Sequence, residues 1–398
     1  MRCILFNKTT PIFEIEYNSN SNHIDEIYTI YNIDYAPLRV YTAFHNKKSG
    51  NILTATNDWF EHRGIPSWRE NLMHLLEQLG IDESKELINK SYGLSLSDQY
   101  WFKEKDSSIQ WSDINFFTND FEFSAFSQAS LDTSRSKIIN IDSQSLTIPD
   151  GTTDGALKKA WIIEDGIRKL AKTGTGISGE EPFNEWLASE ICNQLGFDHA
   201  VNELGVLHNQ LVSKSIDFID GNMELVTAND ILCTEKKPNN ISDFEFFINI
   251  LNQNGITNAK TELSKMFALD CFMMNEDRHT RNFGIIRDVN TLRWIKLAPI
   301  YDTGYAMQAN RNRLNTNFEN GIGKFFNNTS KPYEDVFKII SSTASLYDWN
   351  ALVNLVTLYQ TQLEKYKDVT NMSSDRINAL VGGLRHRITW MNQQIKKL

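Results

Sequence analysis

The stretch Asn275-Glu276-Asp277-Arg278-His279-Thr280-Arg281-Asn282-Phe283-Gly284 decides how the rest of the chain is read. Before it, the apolar spacing from Thr257 to Met274 predicts a long helix. After it, Phe283 to Arg287 and Leu292 to Leu297 predict two strands joined at Asp288-Val289-Asn290. Its polar side chains therefore project from a loop between rigid elements. A carboxylate at Asp277 can take the proton of an attacking hydroxyl, and an amide oxygen five positions on, at Asn282, can ligate a metal. The spacing alone also fits a solvated turn in which Asp277 caps a helix or pairs with Arg281. Beyond the strand pair, Leu297-Ala298-Pro299-Ile300-Tyr301-Asp302-Thr303-Gly304 supplies a second acid, Asp302, that can reach the same metal from the other side. A base and two oxygen donors for magnesium are what phosphoryl transfer asks of a protein.

The combination Asn-x-Asp-x-His-x-x-Asn-Phe followed by Pro-x-Tyr-Asp resembles the HipA-like serine/threonine kinases, bacterial proteins best known as toxins of toxin–antitoxin pairs. The resemblance implies an α+β, bilobal, protein-kinase-like fold and the use of ATP and magnesium. It also implies Asp277 as catalytic base, His279 beside the nucleotide, and Asn282 and Asp302 as the metal ligands.

Upstream, Ala160 to Glu164 and Ile167 to Lys172 predict a hairpin turning at Asp165-Gly166, then a helix from about Glu180 to Leu195 stopped by Gly196. Strands follow over Val201 to Leu207 and Gln210 to Phe218. Ahead of the hairpin, Thr152-Thr153-Asp154-Gly155-Ala156-Leu157-Lys158-Lys159-Ala160 is similar to the family's Gly-Ala-x-x-Lys phosphate loop. Leu157 stands where the family has Gln. Short residues there let backbone N–H groups approach phosphates. By the same resemblance Lys172 is the nucleotide lysine, with Lys169 the alternative on the opposite strand face. Glu185, in Phe183-Asn184-Glu185, would orient that lysine. Val212 to Asp217, with Ser215, is placed like the family's adenine hinge but lacks its Glu-Arg-Phe. Thr152, and next to it Thr153, stand where some relatives carry an autophosphorylated serine.

A rival motif sits between these elements. Gly174-Thr175-Gly176-Ile177-Ser178-Gly179 fits G-x-G-x-x-G, the dinucleotide fingerprint. The strand before it, Ile-Arg-Lys-Leu-Ala-Lys, is half charged, unlike a strand buried on both faces. The acid expected about 20 residues on falls near Asp198, past a helix end, and no further βα alternation follows. The glycines are read as a lysine-to-helix loop.

Composition closes off other classes. A chain of 398 residues with 41% hydrophobic and 23% charged residues is folded. Its net charge of −10 excludes a general polyanion-coating role. Four dispersed cysteines without C-x-x-C argue against a disulfide framework or structural zinc and for a reducing compartment. H-E-x-x-H, G-x-S-x-G and G-x-x-x-x-G-K-[ST] are all absent. The basic run Arg385-His386-Arg387 reads as solvated helix surface rather than a nucleic-acid contact. No run approaches eighteen apolar residues, so no membrane is expected and a cytoplasmic location is.

Three stretches result: 1–144, a mixed α/β module of unassigned role; 145–226, a small lobe; and 227–398, a mostly helical lobe. The aromatic segments Tyr100-Trp101-Phe102 and Ile114 to Phe126 suit either a docking surface or core packing between lobes. The expected function is ATP- and magnesium-dependent phosphorylation of Ser/Thr on a protein, such as a translation factor, with an antitoxin-type partner. Kinases of small molecules or lipid head groups, and inactive nucleotide-binding regulators, are the competing classes.

Overall fold

A computed structural model describes residues 1–19, 21, 23–46, 51–61, 63, 88, 91–121, 131, 149, 158–175, 178–309, 311, 313, 314 and 318–398. The apolar spacing of Trp68, Leu72, Leu75, Leu76 and Leu79 also predicts a helix over 67–79, and a second is expected over 83–90; both lie outside the described residues apart from 88. So do the phosphate loop with Thr152, Thr153 and Gly155, and positions 176–177 of the glycine loop.

In chain order the strands are β1 Arg2–Asn7, β2 Thr10–Asn18, β3 His23–Ile30, β4 Tyr100–Glu104, β5 Lys159–Glu164, β6 Ile167–Thr173, β7 Asn202–Leu207, β8 Gln210–Ile216, β9 Met223–Thr227, β10 Gly284–Asp288, β11 Trp294–Leu297, β12 Ile322–Phe325 and β13 Asn327–Pro332. The longer helices are α1 Leu38–His45, α2 Ile52–Glu61, α3 Glu181–Leu195, α4 Asp243–Gln253, α5 Ala259–Met273, α6 Tyr333–Ala344, α7 Val353–Lys365 and α8 Ser374–Lys396. The fold is α+β. Among the described residues, no helix is long and apolar enough to cross a membrane.

Contacts divide the chain into two units. The first holds 1–170, 217–237 and 286–295; the second holds 171–216, 238–285 and 296–398.

In the first unit an antiparallel sheet runs β3-β2-β1-β4. Leu5 pairs with Phe13 on one side and Phe102 on the other, so one pleat face is apolar. Val40 and Ala43 of α1 and Ala55 and Phe60 of α2 cover it in a common core. Trp101 points the other way, into a second cluster with Leu94, Leu96 and Phe116, against which Phe117, Phe121 and Trp161 pack. The described aromatics of the 100–121 region thus pack as core within this unit rather than forming a docking face. Two later segments are built into it. Arg287 of β10 forms an ion pair with Glu224 of β9 and donates to the Tyr100 hydroxyl at 3.1 Å, all three groups being buried.

The hairpin β5–β6 turns at Asp165 and Gly166, both with positive φ (52° and 74°), the conformation a tight hairpin needs. The sheet order is β5-β6-β8-β7.

In the second unit α3 and α5 are buried on nearly every side, which is why neither shows a one-sided apolar stripe. Gly196 (φ 71°) ends α3 and Met274 (φ 56°) ends α5. The last carbonyls of α5 would be orphaned by that ending. Arg387 of α8 supplies the donors: it is fully buried and bonds Cys271 O at 2.7 Å, Phe272 O at 3.0 Å and Phe318 O at 2.8 Å. Burial draws its pKa down to about 10. The solvated surface expected of this arginine is thereby corrected, because one guanidinium fork satisfies three buried carbonyls. The sequence predicts one helix from Trp349 to Tyr366; it opens as a short 3-10 turn, Trp349–Leu352, before α7. The β12–β13 hairpin was not anticipated.

Candidate active site

Apart from Lys169 and its partner Glu164, the residues below belong to the second unit. The loop after α5 is built from its backbone outward. Asn275 donates to Asp270 Oδ1 at 2.8 Å and accepts from the Asp277 N–H at 3.3 Å. The Asn282 amide nitrogen donates to Asp277 O at 2.9 Å. That bond fixes the amide's orientation by chemistry, since a carbonyl can only accept, and leaves Oδ1 as its ligand end.

Arg278 lies under the loop with no solvent exposure. Its Nε and Nη2 grip the two oxygens of Asp270 at 2.9 and 3.0 Å. Its Nη1 donates to Asn282 O at 2.7 Å and to Tyr301 O at 2.6 Å. One nitrogen therefore clasps the backbone at Asn282 and at the residue before Asp302. The fork geometry is one that lysine lacks.

Lys172, at the end of β6, meets Glu185 Oε1 at 3.0 Å and Asp302 Oδ1 at 3.0 Å. Burial pulls the ammonium's pKa down, but the charges of Asp302 and Glu185 together hold it above the ordinary lysine value. Glu185 is itself buried in α3 and accepts from the Thr303 hydroxyl at 3.2 Å. Its neighbour Asn184 donates to Gly304 O at 2.9 Å and Ala306 O at 2.7 Å, so α3 fastens the segment carrying Asp302 at several points. Asp302 adopts φ 56°, a left-handed conformation that Asp and Asn tolerate better than most residues. Lys169, the alternative lysine, pairs with Glu164 at 3.2 Å in the first unit.

His279 is partly buried. Its Nδ1 accepts from Arg281 N at 3.2 Å, which leaves the proton of the neutral ring on Nε2, 3.9 Å from Asp277 Oδ2. Burial, aided by Lys324 and Arg278, lowers its pKa against the pull of Asp277 and Asp302. Asp277 Oδ1 contacts Lys324 Nζ at 2.5 Å, a partner other than Arg281. Ser215 lies in β8, opposite Asn202 of β7. In the glycine loop, a Cβ on Gly174 would fall 2.4 Å from the Gly179 backbone, so the loop closes on itself. Glu181 seals it by accepting from Thr175 N at 3.1 Å.

The donor set can be weighed against magnesium. Asp302 offers a carboxylate and Asn282 an amide oxygen, both hard ligands. The Arg278 clasp ties their two segments together. Magnesium is commonly held by one or two such groups and completed by phosphates and water. Among the described residues, no cluster of three or more His, Cys, Asp or Glu is arranged to hold a metal. When bound, magnesium would neutralise charge on the phosphates.

A family model described as HipA-like C-terminal domain matches residues 151–368, more than half of the chain. The chain belongs to the HipA-like family. A serine/threonine-protein kinase named CtkA, from Helicobacter pylori, is 33% identical over 130 residues. That alignment spans 31% of this chain and 39% of the relative, well under two thirds of its length. The HipA chain of a Shewanella oneidensis toxin–antitoxin structure, solved with HipB and operator DNA, superposes with a TM-score of 0.55 at 11% identity, covering 100% of this chain and 99% of that one. It shows a HipA-like fold. The crystal structure of the Helicobacter pylori kinase CtkA gives a TM-score of 0.46 at 19% identity, covering 62% of this chain and 92% of that one. Lys172, Glu185, Asp277, His279, Asn282 and Asp302 all fall within the span that matches the HipA-like model.

Sequence reading missed Arg278, Lys324, Asn184 and Thr303. Arg278 sits inside the quoted loop, but flanked by charged residues it reads as solvated. The signal that could have found it is the pairing of a loop arginine with Asp270, an acid inside the otherwise apolar run Met266 to Met273.

Proposed function

We propose that this HipA-like protein is an ATP- and magnesium-dependent kinase that phosphorylates Ser or Thr of a protein substrate. The observation that carries the reading is Lys172 held between Glu185 and Asp302, with Arg278 joining the Asp302 segment to the Asp277–Asn282 loop. A lysine fixed by a buried glutamate is suited to the α/β-phosphates. Asp277 accepts the proton of the acceptor hydroxyl, and Asn282 and Asp302 offer oxygens to magnesium. Gly155 and Thr152 belong to the proposed phosphate loop, and Ser215 to the proposed adenine side. The kinship with CtkA and HipA supports phosphoryl transfer to protein hydroxyls, an antitoxin-type partner and a cytoplasmic setting.

The test is transfer from radiolabelled ATP and magnesium to casein and to the chain itself, followed by mass-spectrometric mapping of lysate proteins. Transfer is expected, and Asp277→Asn should lower it by about 10²–10⁴-fold, the usual share of general-base catalysis. Nucleotide binding should persist in that variant. Absence of transfer to any protein hydroxyl would overturn the assignment.

A further inference from the structure

The β12–β13 hairpin reaches the catalytic loop, and nothing in the sequence motifs accounts for it. Lys324 of β12 donates its backbone N–H to Glu276 O at 3.3 Å, and Phe326 forms a bridge with His279. The approach is close enough that a Cβ on Gly323 would lie 2.6 Å from Asn275 O. Phe325 and Phe326 are buried, with rings 4.6 and 5.6 Å from Phe267 of α5. The register with β13 slips between Lys324 and Phe325, a bulge of the kind that re-aims a side chain beside a functional site. Two anchored aromatics and a bulge thus deliver one ammonium to one carboxylate oxygen, Asp277 Oδ1 at 2.5 Å.

We infer that Lys324 is a positioning residue for the base, an inference that rests on the kinase reading above. Asp277 has its backbone bonded on both sides, at its N–H and its C=O, so only rotation of the carboxylate remains to be fixed. Lys324 fixes it by holding Oδ1. The other oxygen, Oδ2, is 3.9 Å from His279 Nε2, beyond hydrogen-bond range, and is the one presented to the acceptor hydroxyl. In the transfer the acceptor O–H proton passes to Asp277 Oδ2 as the acceptor oxygen bonds to the γ-phosphorus. The bond from that phosphorus to the β–γ bridging oxygen breaks, and ADP leaves with its electron pair. Phosphoryl transfer asks chiefly for an acceptor oxygen held in line, and an oriented carboxylate serves that need.

The experiment compares wild type, Lys324→Ala, Lys324→Met and Lys324→Arg, with radiolabelled ATP and magnesium and casein as acceptor. Affinity for a non-hydrolysable ATP analogue and thermal midpoints are measured in parallel. The expected result for Ala and Met is a fall in kcat of about 10–100-fold. Analogue affinity should change less than about twofold, thermal midpoints should stay within a few degrees, and Arg should recover most of the rate. An active wild type matched or exceeded by Lys324→Ala overturns the inference and leaves the kinase reading standing. So does a loss that appears equally in analogue affinity or thermal midpoint. A wild type that transfers no phosphate overturns the kinase reading and this role together.

Discussion

Arg278 and Asp270 form a two-pronged ion pair, at 2.9 and 3.0 Å, with the guanidinium wholly shut off from solvent. Removing one member of such a pair leaves a buried charge without its counterpart, at a cost of about 3–5 kcal/mol. Arg278→Met should therefore lower the urea midpoint sharply. Adding Asp270→Leu should restore much of the stability, because an apolar pair tolerates burial. Phosphotransfer should not return in the double variant, since the clasp on Asn282 and Tyr301 is still missing. Recovery of activity along with stability would show that the clasp is dispensable.

Asp302→Asn separates the metal from the fold. Asn accepts the left-handed backbone at this position and keeps an oxygen for Lys172, while losing the charge that favours magnesium. ATP affinity should fall by about tenfold or more in magnesium, the scale of metal-site losses, and change little in EDTA. Equal affinities for both proteins under both conditions would remove Asp302 from the metal site.

Asp217, in the first unit, carries a pH-dependent cost. Its Oδ1 accepts from Ile219 N at 3.0 Å, whereas Oδ2 is buried and has no hydrogen-bond partner among the described residues. Burial, opposed in part by Arg168, pushes the carboxyl up to about 7. The folded state then holds more protons than the unfolded chain between about pH 4 and 7. Stability is greatest below that window and falls as pH rises through it. Asp217→Asn should match wild type near pH 4, gain on it through pH 7, and keep a constant advantage of up to a few kcal/mol above that. Urea midpoints at pH 4.5 and pH 8 would measure the gap, and a gap independent of pH would refute the account.

The phosphate loop offers a regulatory test. Incubation with ATP and magnesium should add a phosphate between Ser145 and Thr153, and Thr152→Ala should reduce the labelling. A phosphate there brings about −1.5 to −2 charges to where those of ATP must lie, so Thr152→Asp should weaken ATP binding. Peptide mapping of fully turned-over protein decides it; an unmodified loop excludes the switch.

The proposed site in the second unit was the more legible in sequence because its candidate residues sit near element ends. Asp277 and Asn282 follow a helix with strong apolar spacing, Lys172 closes a hairpin with a clear turn, and Glu185 opens a helix stopped by glycine. Polar residues that act by being buried gave no comparable signal. Arg387 sits in a basic run, and the carbonyls that reveal it lie 69 to 116 positions away; Arg278 sits in a charged loop, where only its pairing with Asp270 marks it. Lys324 depends on a bulge, which leaves no periodic trace. In the first unit β3 was missed for a simple reason: as an edge strand with most residues exposed, it has no alternation to read.

The buried trio of Tyr100, Glu224 and Arg287 sets an order of events during synthesis. Tyr100 and Arg287 are 187 positions apart, and the arginine's segment is an integral piece of the unit that begins at residue 1. A nascent chain that has finished its first sheet still lacks that segment, and at about 5–20 residues per second the wait lasts on the order of ten seconds or more. Once Glu224 is made, it waits a further 63 residues for its arginine. The part of this unit made earliest is therefore among the last to close.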